Sequence, residues 1–189
     1  MIELNQKQQK AMKLVIGYPF VLFAISFIPN LFFIPDIVAT AVPNQHIIIA
    51  TAITAILFAI NHSWLMTVTE TTRVKFKLYA TPEEWRENDL DPNNASEEAK
   101  QALERCHNAH RNTTENTIYF VVLLIPFVFF SPSTMAGYVW VVGFGVARLA
   151  YTYSYLNARD NLRGLFMTLG LICMYGLASY LILAILKLL

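Results

Sequence analysis

Long uncharged stretches constrain this chain more than any other feature of its sequence. Apolar runs cover residues 14–34, 47–68, 117–130, 138–156 and 165–189. A run of about 20 apolar residues is long enough to cross a bilayer as a helix. Only 14% of the residues are charged, against about 25% in soluble domains. The chain is therefore predicted to be an all-α integral membrane protein.

The positions of lysine and arginine predict how the chain crosses the membrane. The N-terminal residues, the 73–111 segment and the 157–163 turn are basic, whereas the 36–46 and 131–135 loops contain neither Lys nor Arg. Basic loops tend to stay on the cytoplasmic side. A five-span arrangement with a cytoplasmic N-terminus satisfies every loop. In a four-span alternative, residues 14–34 lie on the membrane or re-enter it.

A polar stripe leads from a charged helix into the apolar run that follows it. Asn108, Arg111, Asn112 and Glu115 stand at i, i+3, i+4 and i+7, so they share one helical face. Charges at a membrane edge are costly unless they meet an opposite charge or a charged ligand. The spacing leaves open a simple pair between Arg111 and Glu115 on the same helix. The alternative is that the stripe binds a ligand.

A second polar face lies on the apolar run that covers residues 138–156. Four side chains repeat the same spacing: Arg148, Tyr151, Thr152 and Tyr155. Arg163 begins the last run and Arg73 ends the second one, so both are expected near the stripe. Several guanidinium groups against few acids suit a small polyanion, and Glu115 could accept its ammonium group. Alternatively, Arg148 pairs with Glu115 and joins two spans.

Other residues exclude some functions. The net charge of +1 argues against nucleic acid as a partner. His107 and His110 have none of the Cys/His spacings of a zinc site, so no metal is expected. Cys106 is predicted to lie on the charged helix face, as a bystander to the chemistry.

Two capping boxes predict where the helices outside the membrane begin. Thr81 with Glu84 predicts one helix start, and Asn94 with Glu97 predicts the start of the helix that carries the stripe. That second helix is expected to run to about Phe130.

These motifs resemble the membrane-associated proteins in eicosanoid and glutathione metabolism. The likeness is to the branch of the microsomal glutathione transferases and microsomal prostaglandin E synthases. Residues 104–120 match its pattern E-R-x-x-x-A-H-x-N-x-x-E-N-x-x-x-F. The similarity extends to Arg73, to residues 79–84, to residues 147–156 and to Arg163.

The resemblance implies a four-helix transmembrane bundle over residues 46–189 that assembles as a homotrimer, preceded by an extra apolar helix within residues 1–45. It implies that glutathione binds between neighbouring subunits on the cytoplasmic side. The implied glutathione-binding residues are Arg73, Arg111, Asn112, Glu115 and Tyr155. Arg163 would be catalytic, because a nearby guanidinium lowers a thiol pKa from about 8.5 and produces the thiolate. The supporting residues would be Asn108, Arg148, Tyr151 and Thr152.

The activity implied is that of a glutathione transferase or peroxidase acting on lipophilic electrophiles or lipid hydroperoxides. Three departures disfavour an isomerase of the prostaglandin E synthase type: Asn108 replaces a basic residue, Tyr151 a histidine and Met167 an aromatic. Two alternatives stay open, a non-catalytic lipid-binding relative and a small membrane transporter with Arg148 and Glu115 as its ion path. We expect a bacterial inner membrane rather than the endoplasmic reticulum, with the active site facing the cytoplasm.

Overall fold

The computed structural model describes residues 6–33 and 39–189, and most of these are helical. Four helices are long: α1 (Gln6–Phe33), α2 (Gln45–Phe76), α4 (Glu97–Phe127) and α7 (Asp160–Leu188). Short α3 (Pro82–Glu87) and a 3-10 turn (Pro92–Asn94) precede α4. Between α4 and α7, three pieces follow one another: α5 (Thr134–Ala136), a π-helix (Gly137–Val142) and α6 (Gly143–Leu156). The end of the first predicted apolar run and the start of the 36–46 loop lie outside the described residues.

Three of the described helices are long and apolar enough to cross a membrane: Gln9–Phe33 within α1, α2 and α7. The prediction of an all-α integral membrane protein is thereby confirmed. The first half of α4 is charged, and the stretch from residue 134 to residue 156 is divided into three pieces. By the same criteria of length and composition, neither α4 nor the 134–156 stretch is a candidate membrane span. The five-span arrangement therefore stays a prediction.

Aromatic rings hold the centre of the bundle formed by α2, α4, α6 and α7. The rings of Phe120 and Phe144 stack with their centroids 4.0 Å apart, and Phe58 meets each of them edge-on at 5.9 Å. Phe127 and Tyr180 extend this core with centroids 4.8 Å apart. Each such pair adds about 0.5–1.5 kcal/mol beyond the burial of its area.

The π-helix exposes backbone carbonyls that neighbouring helices bind. Thr54 on α2 donates its hydroxyl to the carbonyl of Val141 at 3.0 Å, and the Cys173 thiol on α7 donates to the carbonyl of Val139 at 3.6 Å. A widened turn disturbs the regular ladder of backbone hydrogen bonds, and an unpaired carbonyl is costly where no water reaches it. These two contacts therefore fix the π-helix between α2 and α7.

α1 packs along α7 through a polar seam. The buried side chain of Asn30 donates to the carbonyl of Gly176 at 2.7 Å and accepts the Trp140 indole N–H at 2.7 Å. The Ser26 hydroxyl donates to the carbonyl of Ile172 at 2.9 Å. Contact positions rise together along both helices, so α1 and α7 run parallel.

The first capping box is present in modified form, and the second prediction is wrong. The Thr81 hydroxyl accepts the Glu84 amide at 3.3 Å, but the Glu84 carboxylate accepts the amide of Ala80 rather than that of Thr81. α4 begins after Ser96, whose hydroxyl caps the first turn. Asn94 cannot serve there because it ends the preceding 3-10 turn.

The predicted exposure of Cys106 on the charged face is also wrong. Its side chain is 3% exposed, and its sulfur lies 3.6 Å from the Thr72 hydroxyl on α2. Ala99 and Ala109 are buried as well, and their spacing places all three small residues on one face of α4. That face packs against α2, which places the polar stripe on another side.

We expect Gly176→Ala to destabilise the protein by about 1–3 kcal/mol, the usual effect of overpacking a core. A Cβ at Gly176 would stand 2.3 Å from Cδ2 of Trp140, and the indole is held in place by Asn30. Unfolding of the purified protein in mild detergent, followed by circular dichroism, measures the change.

Gly170→Ala on the same helix is the matched control. Its Cβ would meet its nearest neighbour at 3.9 Å, an ordinary contact. Stability should be unchanged or slightly higher, because alanine is the better helix former. Equal effects of the two substitutions would contradict the packing described here.

Candidate functional site

The polar half of α4 separates two clefts. The Arg163 cleft, about 340 Å³, lies between α4, α6 and α7 and includes Arg105, Asn108, Tyr155, Asp160 and Arg163. The Arg73 cleft, about 560 Å³ and more open, lies between α2 and α4 and includes Glu70, Arg73, His107, Arg111 and Glu115. Small-molecule sites are commonly about 300–1,000 Å³, so each cleft has room for part or all of a small ligand.

Arg163 stands in the first turn of α7. Its guanidinium lies 3.4 Å from the Asp160 carboxylate and 5.5 Å from the centroid of the Tyr155 ring. The Arg163 side chain is 44% exposed, so this ion pair is screened by water and weak. α7 starts without a side-chain cap, and its first amides add positive potential at the same place. An anion could therefore replace Asp160 as the partner of Arg163 at little cost.

The acidic and basic groups of the stripe face the Arg73 cleft. Arg73 pairs with Glu70 at 2.6 Å, and Arg111 donates to the Asn108 side chain. Glu115 is exposed, and no ion pair in the described part of the chain includes it. Arg111 and Arg148, the two partners considered from the sequence, are thus not paired with Glu115. The Glu115 carboxylate remains available to a ligand.

His107 adds a titratable group to the Arg73 cleft. Burial lowers the pKa of the imidazole from its ordinary value of 6.5, and the nearby Arg73 and His110 lower it further. The ring is therefore neutral at pH 7. It gains its charge only as the pH falls below the usual range for histidine.

Arg148 lies inside the bundle, 1% exposed. One guanidinium nitrogen donates to Oδ1 of Asn112 at 3.2 Å and another to the sulfur of Met167 at 3.9 Å. The ring of Tyr151 stacks 4.4 Å from the guanidinium carbon. Nε has no hydrogen-bond partner among the described residues. A buried charge with no acid beside it is costly. The amide of Asn112, the thioether of Met167 and the ring of Tyr151 offset part of that cost.

The structure brings the predicted site residues together in three places rather than one. One cleft contains Asn108, Tyr155 and Arg163. The other contains Arg73, Arg111 and Glu115. The interior of the bundle contains Arg148, Tyr151 and Thr152, with half-buried Asn112 at its edge.

Three charged residues that line the Arg163 cleft were not among the predicted site residues: Glu104, Arg105 and Asp160. Glu104 and Arg105 belong to the central sequence pattern, and Asp160 stands one helical turn before Arg163. Both signals were therefore present in the sequence. Whether a side chain at these positions reaches the cleft depends on how α4 and α7 are rotated.

Each cleft contains equal numbers of acidic and basic side chains. Arg105 and Arg163 face Glu104 and Asp160 in one cleft. The other opposes two arginines, Arg73 and Arg111, with two glutamates, Glu70 and Glu115. This arrangement differs from the predicted excess of guanidinium groups and suits a zwitterion better than a bare polyanion.

Residues 51–183 match the sequence model of the MAPEG family. The chain belongs to the MAPEG family. Members of this family include glutathione-dependent transferases, peroxidases and isomerases. A search of curated protein sequences finds no match. The MAPEG match includes every residue named in the two clefts and excludes α1, whereas the boundary expected at residue 45 stays a prediction.

We expect Asn112→Ala to destabilise the protein by about 1–3 kcal/mol. The substitution removes a hydrogen-bond acceptor from the buried Arg148 guanidinium and leaves that donor unpaired. Chemical unfolding in detergent measures the loss.

Asn116→Ala, one turn along the same helix, serves as the control. Among the described residues, the Asn116 amide donates to the carbonyl of Asn112 on its own helix and to no other group, so its removal should change stability far less. A double substitution with Arg148→Met tests the coupling directly. Additive effects would contradict an interaction between Asn112 and Arg148.

Proposed function

We propose that this MAPEG protein is a glutathione transferase or peroxidase that activates the glutathione thiolate for attack on lipophilic electrophiles or lipid hydroperoxides. The observation that carries the proposal is the meeting of Asn108, Tyr155 and Arg163, predicted from three separate helices, in one cleft at the start of α7. We also propose that the chain falls in the microsomal glutathione transferase and prostaglandin E synthase branch.

The two clefts suit the chemistry of glutathione, which carries two carboxylates, one ammonium group and a thiol. Guanidinium groups match the carboxylates, and the unpaired Glu115 matches the ammonium group. We assign binding to Arg73, Arg111, Asn112, Glu115 and Tyr155. Asn108, Arg148, Tyr151 and Thr152 would support the site, with Arg148 acting through its hydrogen bond to Asn112.

Arg163 is the catalytic residue in this proposal. Its guanidinium is a cation, and it would release Asp160 to hold the sulfur of glutathione as a thiolate. The N-terminus of α7 adds to the same positive potential. The ring of Tyr155 limits where the Arg163 head can move. Glutathione supplies the nucleophile, and the thiol proton is released to the open side of the cleft.

The position of α4 between the two clefts supports a site that is completed by a neighbouring subunit. We propose a homotrimer in which one ligand meets the Arg163 cleft of one subunit and the Arg73 cleft of another. Native mass spectrometry in mild detergent should show three chains. A monomer at working concentration would contradict both the assembly and the shared site.

We further propose five spans, with the clefts facing the cytoplasm across a bacterial inner membrane. The stretch from residue 134 to residue 156 is helical almost throughout and about 34 Å long at roughly 1.5 Å per residue, enough to cross the hydrocarbon core. The π-helix changes the hydrogen-bond pattern within this stretch but does not interrupt the helix. Labelling of single cysteines introduced into the 131–135 and 157–163 turns, with a reagent added to one side of the membrane at a time, tests the orientation.

Turnover of a small, generic electrophile by the purified protein tests the enzymatic proposal. Glutathione-dependent product formation above the uncatalysed rate supports an enzyme. Saturable lipid binding without turnover would instead support a non-catalytic relative, and ion flux in proteoliposomes would support a transporter.

We expect Arg163→Leu to abolish most turnover while glutathione affinity changes by less than about tenfold. The loss should correspond to about 2–4 kcal/mol, as for the removal of one preorganised electrostatic donor. Thiolate formation, followed by ultraviolet absorbance as glutathione is added at neutral pH, should fall in parallel.

Asp160→Asn is the control of opposite sign. It removes the carboxylate that shares the Arg163 charge, so bound thiolate should increase at a given pH. An unchanged thiolate signal in Arg163→Leu would show that Arg163 does not stabilise the sulfur. A collapse of affinity together with rate would make Arg163 a carboxylate ligand instead.

A further inference from the structure

A third cleft adjoins the Arg163 cleft near the first turns of α4. It has a volume of about 360 Å³ and lies between α2, α4 and the end of α6. Its lining includes Thr72 from α2 and Glu98 from α4, and we call it the Glu98 cleft. The side chains of Gln101 and Arg105 line both this cleft and the Arg163 cleft. The two clefts therefore meet along these two side chains.

The Glu98 cleft offers one acidic and one basic group to a ligand. Glu98 and Arg105 are both exposed, and no ion pair or hydrogen bond in the described part of the chain includes either of them. Glu98, Gln101 and Arg105 stand at i, i+3 and i+7, so they share one face of α4. A free carboxylate and a free guanidinium suit a ligand with an ammonium group and a carboxylate.

This cleft is separate from the residues proposed to bind glutathione. None of those five residues lines the Glu98 cleft. Its volume falls within the range of about 300–1,000 Å³ that is common for small-molecule sites. It therefore has room for a second small molecule beside the one proposed at Arg163.

The two proposed activities differ in the number of thiols that they consume. Conjugation ends when one glutathione sulfur has bonded to the electrophile. In peroxide reduction, the thiolate sulfur attacks the outer peroxide oxygen, an S–O bond forms and the O–O bond breaks. The leaving alkoxide takes a proton and becomes an alcohol. The sulfur, oxidised by two electrons to a sulfenic acid, then needs a second thiol.

The two cysteines of the chain are poorly placed to supply that second thiol. Cys106 lines the Glu98 cleft, but its side chain is 3% exposed and its sulfur lies against the Thr72 hydroxyl. Cys173 is 7% exposed and donates to the carbonyl of Val139. The second thiol is therefore expected to come from outside the chain.

We propose that the Glu98 cleft binds a second molecule of glutathione, which completes the reduction of a hydroperoxide. The inference rests on the proposed glutathione chemistry at Arg163. The second sulfur attacks the sulfenic sulfur, an S–S bond forms and the S–O bond breaks. The leaving hydroxide takes the proton of the second thiol and becomes water. One hydroperoxide and two glutathione molecules thus give an alcohol, water and glutathione disulfide.

The charges of the cleft assign a role to each group. Glu98 would hold the ammonium group of the second molecule and Arg105 one of its carboxylates, with the thiol directed past Gln101 toward Arg163. A thiol held at this junction reacts at a high effective concentration. It therefore limits the time during which the sulfenic acid is exposed to further oxidation by peroxide.

Glu98→Gln tests the second site because it separates the two reactions. We expect the KM for glutathione in the reduction of cumene hydroperoxide to rise about tenfold, as for the loss of one hydrogen bond to a charged group. Conjugation of a small electrophile, which needs one glutathione, should keep its kcat and KM.

Glu97→Gln is the matched control. It removes a carboxylate from the same helical turn, but Glu97 pairs with Lys100 at 3.1 Å and lines neither cleft. It should change neither reaction. Equal losses of both reactions in Glu98→Gln, or no loss of either, would overturn the proposal. A parent protein that conjugates the electrophile without reducing the peroxide would also overturn it.

Equilibrium dialysis with labelled glutathione, in the absence of peroxide, tests the site independently of turnover. We expect two glutathione molecules per chain in the parent protein and one in Glu98→Gln. One molecule per chain in both proteins would refute the second site and leave the proposed function in place. No binding in either would refute the glutathione chemistry itself, and the second site with it.

Glutathione disulfide is a further probe, because its two halves can occupy the adjoining clefts together. It should inhibit conjugation in competition with glutathione. Glu98→Gln should raise its Ki about tenfold and leave the Kd of the first glutathione unchanged. If the substitution weakens the first glutathione and the disulfide equally, one molecule lies along both clefts and the proposal is wrong.

Discussion

The contact between Arg148 and Asn112 constrains how α4 is rotated against α6. A guanidinium that is 1% exposed keeps its charge, and none of its hydrogen bonds among the described residues goes to a carboxylate. It therefore depends on Asn112 from α4, Met167 from α7 and the ring of Tyr151 on its own helix. Rotation of α4 by a single residue would remove the amide and leave the charge unpaired, which is costly in a membrane.

This fixed rotation of α4 decides what the polar stripe can do. With Asn112 turned inward and Cys106 packed against α2, the remaining stripe residues stand on the ridge between two clefts. Asn108 faces one and Glu115 faces the other, and each cleft contains as many acidic as basic groups. A ligand that carries both charges therefore finds partners of each sign in either cleft.

Helical periodicity made much of this predictable. The spacing of the stripe, the apolar runs and the cap at Thr81 each follow from rules that act within a few residues. The inward turn of Cys106 could not be obtained that way, since it depends on small residues of α4 meeting α2. Asn94 does not cap α4 for a related reason: it is the last residue of the preceding 3-10 turn, and Ser96 caps the helix instead. The separation of the site into two clefts likewise depends on rotation between helices, which spacing along one helix does not define.

The position of α1 follows from the same physics and adds something outside the family match. In a bilayer there is little hydrophobic driving force to bring helices together, so polar contacts and close packing decide where they meet. For α1 the buried contacts, at Ser26 and Asn30, lie toward its C-terminal end, while Tyr18 makes an exposed contact near Arg163. A helix anchored in this way is held firmly toward its C-terminal end and has only an exposed contact near Arg163. Substitutions at Ser26 or Asn30 should therefore disturb the packing of α1 on α7 more than substitutions before Tyr18, where the described side chains of α1 are mostly exposed.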